Sequence, residues 1–190
     1  MIEEIIDFDK VVFLYLNSLG SKSFDLFWLI ITNKYLNFII YTSLLFTVFT
    51  RHGRAKALNI FLLAIILILI VDQTTNLSKL FFERLRPCHD QQISLLSRLV
   101  SSHCGGKFSF FSAHASNSFA LATFFSFIFK NLKILRILIV FSALLIAYSR
   151  VYIGVHYPLD IIIGAIVGTT FSTTYIYFLN KYFRNRIFNY

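Results

Sequence analysis

Charge is scarce in this 190-residue chain, at 14% of positions, and acid is scarcer still: Asp and Glu number 9 against 18 Lys and Arg. That poverty, beside 57% hydrophobic residues and 23 Phe, excludes an ordinary soluble domain and points to a protein of the bilayer. A nucleic-acid partner would need a soluble basic face interleaved with aromatics, and the net charge of +9 is not arranged that way. The carboxylates are scattered and no paired-His helix motif occurs, so no metal or other cofactor is expected. No repeat, low-complexity tract or linker divides the chain, which reads as one membrane domain over residues 1–190. A secretory leader would begin with basic residues. Here Glu3, Glu4, Asp7 and Asp9 come first, so no cleaved signal is expected.

What the chain has in quantity is apolar helix. Charge-free runs cover residues 35 to 50, 57 to 71, 115 to 129, 137 to 149 and 161 to 180. Each approaches the roughly 20 residues that cross a hydrocarbon core, and Lys or Arg at the ends can snorkel to extend the shorter ones. The expected fold is therefore an all-α integral membrane bundle of about five spanning helices. Residues 11 to 21 and 26 to 33, broken by Gly20, Lys22 and Asp25, predict short interfacial or re-entrant helices within an N-terminal segment, residues 1–34. Arg51, Arg54 and Lys56 fill one short turn, Lys130, Lys133 and Arg136 another, and Lys181, Arg184 and Arg186 mark the tail. Placing all three groups in the cytoplasm puts residues 79 to 113 and 150 to 158 on the opposite side.

The residues with chemical capacity gather at those opposite ends. Lys79 and Arg86 are two turns apart on a helix expected to continue through residue 85 until Pro87 stops it, so both can hold one anion. They could equally anchor the helix among lipid headgroups. Ser112 is a good helix N-cap, and the free N–H groups beside it, including that of Ala113, suit an anion, with His114 in the first turn. His156 and Asp160 are four apart, so a carboxylate can fix the imidazole tautomer, and Arg150 stands close before them. Pro158 restarts the chain into the last helix. Asp72, two turns before Lys79, is expected to pair with a cation or polar neighbour in a structural role. Cys88 and Cys104 share the outer loop. An oxidising compartment would pair them for about 3 kcal/mol, two free thiols are the alternative, and His89 and His103 beside them leave a zinc site conceivable.

Taken together these strings resemble the membrane phosphatidic acid phosphatase type 2 (PAP2) superfamily, which shares its phosphate site with vanadium haloperoxidases. Lys79, Arg86 and Pro87 meet its Lys-x6-Arg-Pro motif, and Ser149, Arg150, His156 and Asp160 meet Ser-Arg-x5-His-x3-Asp. The middle motif, Pro-Ser-Gly-His, stands here as Phe111-Ser112-Ala113-His114, with two departures. The resemblance covers residues 57–175. It implies phosphate binding by Lys79, Arg86, Ser112, Ala113 and Arg150, a His156 nucleophile oriented by Asp160, and His114 as acid and then base. It also implies a lipid phosphate substrate and a site on the periplasmic face of a bacterial inner membrane. Undecaprenyl diphosphate is the first expectation, with phosphatidylglycerol phosphate, phosphatidic acid and lipid A phosphates behind it. A haloperoxidase would be soluble, unlike this chain, and a non-catalytic scaffold or transporter would leave the motifs idle.

Overall fold

A computed structural model describes the backbone of residues 2–187 and the side chains of residues 3–182. Among the described residues the chain is helical apart from connecting loops and one isolated antiparallel bridge between Leu85 and Phe108. The helices are α1 (Ile2–Ser18), α2 (Lys22–Ile31), α3 (Lys34–His52), α4 (Arg54–Phe82), α5 (Ile93–Leu96), α6 (Ala113–Ile128), α7 (Lys133–Tyr152) and α8 (Pro158–Ile187). A short 3-10 turn, Pro87–His89, follows α4.

Each boundary has a local cause. Asn33 opens α3 by accepting the Tyr35 N–H at 2.8 Å, and Gly53, at φ 83°, turns the chain from α3 into α4. Ser112 caps α6, its hydroxyl accepting from the Ala115 N–H. Pro158 occupies the first position of α8, where its missing N–H costs nothing. The end of α4 departs from expectation. Glu83 adopts a left-handed conformation, φ 45°, and closes the helix there, well before Pro87.

Of the five expected spans, α4, α7 and α8 are long and apolar enough to cross a membrane singly. Helices α2 and α3 meet at a bend of 48° and pass that test only as a pair, either as one broken span or as a re-entrant turn. Helix α6 has 16 residues, about 24 Å at 1.5 Å per residue, which is short of a span. It can be short because it lies inside the bundle, packed against α8, α7 and α4. Nine of its residues are buried, among them Ala115, Ser116, Ala120, Phe124 and Phe125. Its neighbours meet lipid instead: α4 turns Leu62, Ile66 and Leu69 outward while Ile60, Ala64, Leu67 and Val71 pack inward.

Lipid tails are as apolar as the helix faces, so close packing rather than water exclusion holds such helices together. The α6–α8 seam shows how. Gly164 and Gly168 lie one turn apart on α8, and a Cβ on Gly164 would sit 2.9 Å from the Ser112 carbonyl oxygen. One on Gly168 would run into the Ser116 carbonyl. The two backbones can meet only because both positions lack side chains. With the basic turns between α3 and α4 and between α6 and α7 at one end of the bundle, the end of α4 and the starts of α6 and α8 gather at the other.

Candidate phosphate-binding site

At that second end the first turn of α8 places Asp160, wholly buried, beneath His156, which is 2% exposed. The His156 Nδ1 lies 3.3 Å from Asp160 Oδ2, and the same carboxylate oxygen accepts the Tyr157 N–H at 3.0 Å. The loop that carries His156 is folded back onto the end of α7, where the Arg150 carbonyl accepts the N–H groups of Val155 and His156. Gly154, at φ 84°, supplies the left-handed residue this reversal requires. Ser112 is fully buried, and its N–H donates to the Asp160 carbonyl at 3.1 Å, so the starts of α6 and α8 are tied together. The first-turn N–H groups of Ala113 and His114 are thereby left outside the helix's own ladder.

Three cations complete this layer, one of them from a position other than the expected one. Lys79 and Arg86 do not project from one helix face, because α4 ends at Phe82 and Arg86 belongs to the loop beyond. The Arg86 guanidinium is aimed by carbonyls instead, with Nε donating to Phe108 at 3.2 Å and Nη1 to Cys104 at 3.0 Å. Arg150, at the end of α7, donates from Nη1 to Thr32 Oγ1 at 2.5 Å, and its Nε has no protein partner. The charges of Lys79, Arg86 and Arg150 all bear on both His114 and His156. Burial, followed by Arg86, Arg150, Lys79 and Arg84, holds the His156 imidazole well below its ordinary range, and so in its neutral form. A buried neutral imidazole oriented by a carboxylate and ringed by cations can attack an electrophile that carries negative charge. Phosphorus in a phosphate is such an electrophile.

Cys88 and Cys104 are paired, with Cα atoms 6.2 Å apart. The two sulfurs and a His89 ring nitrogen are also close enough to share an ion, a use open to them only as thiols. Asp72 meets polar neighbours rather than a cation, accepting from Asn76 and from Asn117, each at 3.2 Å. The entry to α6, where Phe111 replaces the motif's proline, is pinned by α4: Ser78 Oγ donates to the Phe110 carbonyl and accepts the Phe111 N–H.

The PAP2 superfamily pattern matches residues 57–184. The chain belongs to that superfamily. A lipid A 4'-phosphatase of Porphyromonas gingivalis is 35% identical over 180 residues, 92% of this chain and 76% of its own length. An undecaprenyl-diphosphatase of Sulfolobus acidocaldarius is 50% identical, but over only 40 residues, 21% of this chain and 19% of its own. The crystal structure of a transmembrane PAP2 type phosphatidylglycerolphosphate phosphatase from Bacillus subtilis shares the fold. Its TM-score is 0.74 at 21% identity, with 96% of this chain and 90% of that one covered. The protein is thus a multi-pass PAP2 membrane lipid phosphatase, a hydrolase.

Around this PAP2 site stand residues that sequence reasoning missed. Arg84, inside the first motif but not one of its fixed positions, donates to Asp160 Oδ1 at 3.0 Å and to Asp9 Oδ2 at 2.6 Å, and lies over the Tyr157 ring. Asp9 also accepts the Leu159 N–H at 2.9 Å. Asn17 bonds the backbone of Arg98, Val151 and Tyr152. Asp9, Phe13 and Asn17 are all buried and lie four residues apart, so α1 lays one face against the site. That spacing was visible in the sequence. So was Gly164-x3-Gly168, a pattern of close helix approach.

Proposed function

We propose that the protein removes a phosphate from a lipid through a phosphohistidine at His156, without a metal. Asp160 holds the Nδ1 proton, which leaves the Nε2 lone pair to attack phosphorus. A P–N bond forms as the P–O bond to the lipid breaks. His114, which burial and the cations hold neutral before substrate binds, takes up a proton as the bound phosphate offsets those cations and donates it to the departing oxygen. His114 then takes a proton from water, whose oxygen attacks the phosphohistidine to release inorganic phosphate and restore His156. Lys79, Arg86, Arg150 and the N–H groups at the start of α6 stabilise charge on the phosphoryl oxygens. The observation that carries this reading is the buried His156–Asp160 pair within a layer of cations.

A glycolipid phosphate of the lipid A kind is the first substrate. The near full-length likeness to a lipid A 4'-phosphatase supports it, whereas undecaprenyl diphosphate is supported by a 40-residue match. The Lys and Arg turns favour a site on the periplasmic face of a bacterial inner membrane. Purified protein in detergent, given a panel of lipid phosphates with EDTA present, tests the reading. It releases phosphate, and acid-labile radiolabelled phosphate accumulates on the wild type and not on His156→Ala. Full turnover by both His156→Ala and His114→Ala would overturn it.

A further inference from the structure

A cavity of about 220 Å³ opens beside His114, between α3, α4, α6 and α7. Water takes about 30 Å³, so the space holds several waters or one ring-sized group. Its apolar walls include Leu121 and Ile146, and beside His114 and Ser118 its polar groups include Asn37, Tyr41, Asp72 and Asn117. None of the last four belongs to a PAP2 motif. Asp72 lies seven residues before Lys79, about 10 Å deeper into the bilayer, so the cavity extends from the phosphate site toward the lipid interior.

Three of these groups have a polar atom without a protein partner. Asn117 uses its Nδ2 to donate to Asp72, which fixes its amide orientation and leaves Oδ1 without a partner. Asn37 Oδ1 and the Tyr41 hydroxyl are likewise buried without a protein partner. Two amide oxygens, a carboxylate and a hydroxyl that can accept or donate make a pocket in which acceptors outnumber donors. Leaving such groups unmet away from water is costly, so the pocket favours an occupant that brings donors. A second phosphate brings only acceptors and negative charge, and Asp72 opposes it.

We infer that this cavity is a substrate subsite that accepts a hydroxyl- or amide-bearing ring attached to the scissile phosphate, and that it selects glycolipid monophosphates over lipid diphosphates. The inference rests on the lipid phosphatase reading and names the part of the substrate that distinguishes one lipid from another. Tyr41 and Asn37 come from α3, outside the stretch matched by the family pattern.

The test compares kcat/KM of the purified full-length protein on three probes: a phosphorylated N-acylglucosamine lipid, undecaprenyl diphosphate and phosphatidic acid. Tyr41→Phe and Asn37→Leu each lower the value for the glucosamine lipid about tenfold more than for phosphatidic acid, the size of one lost hydrogen bond to a buried group. Asp72→Asn raises the diphosphate relative to the other two probes. Equal losses on all three probes would assign these residues to folding alone, and no losses would mean that the cavity holds only water. Either result overturns the inference. Dependence of turnover on His156 is scored on the same probes, so failure of the subsite and failure of the catalytic reading are separate outcomes.

Discussion

In the motif-bearing helices the side chains around His156 are set by short-range geometry: a carboxylate four residues on, a cap at the start of α6, an arginine at the end of α7. The first 34 residues carry no family motif, yet Asp9, Asn17 and Thr32 reach the same layer. Asp9 and Asp160 even grip a single guanidinium, that of Arg84. The two regions differ in what they do for the imidazole. On the proposed mechanism one supplies the groups that meet the phosphate, and the other holds those groups in place. A partly buried cation shared by two buried carboxylates keeps neither acid uncompensated, and breaking one side leaves an unbalanced charge.

The comparison can be tested from its strongest limb downward. His156→Ala abolishes phosphate release, a fall of about 10³-fold or more, while thermal unfolding in detergent is unchanged within a few degrees. Gly168→Leu acts on the fold instead. It forces α8 away from the Ser116 carbonyl, overpacks the seam at a cost of about 1 to 3 kcal/mol and lowers the unfolding temperature. If Gly168→Leu left both melting and activity intact, the close seam would not be needed to align α6 with α8. Asp9→Ala, far from the phosphate in sequence, lowers kcat about 10-fold by freeing Arg84 from one of its two carboxylates, with KM little changed. A wild-type rate there would make the N-terminal helix ornamental to catalysis.

A pH profile sharpens the contrast. His156 must be neutral to attack, and burial with four nearby cations lowers its pKa, so activity persists below the ordinary imidazole value of about 6.5. Removing a cation raises that pKa, and the acid limb of kcat/KM in Arg84→Gln therefore moves toward higher pH. A limb that stayed in place would show that Arg84 does not act on His156. The smallest effect belongs to Thr32→Val, which takes one acceptor from Arg150 and lowers kcat/KM a few-fold.

Much of this site was legible because its parts are local. Ser112 caps, Pro158 starts a helix, and His156 meets Asp160 at a spacing any first turn allows. Arg86 was misplaced for an equally local reason, since a left-handed glutamate is no stop signal that composition announces. Its guanidinium nevertheless joins the others, because carbonyls of the Cys104 and Phe108 loop, tied to the same strand-like segment, do the aiming. Three helices, or four with the bent pair, pass as spans by length and composition rather than all five apolar runs, because apolar runs report what could sit in lipid, whereas α6 is apolar for the sake of its neighbours. The role of α1 needed tertiary contacts, although buried positions spaced by four at Asp9, Phe13 and Asn17 give it away in retrospect.

The early end of α4 separates two cations that a continuous helix would have moved as one. Transmembrane helices tilt to match the thickness of the hydrocarbon layer, and Lys79 travels with α4 when they do. Arg86 does not, being anchored to the loop rather than the rod. The two cations therefore stand on separate supports, one on a membrane-crossing rod and the other on a loop whose carbonyls aim it.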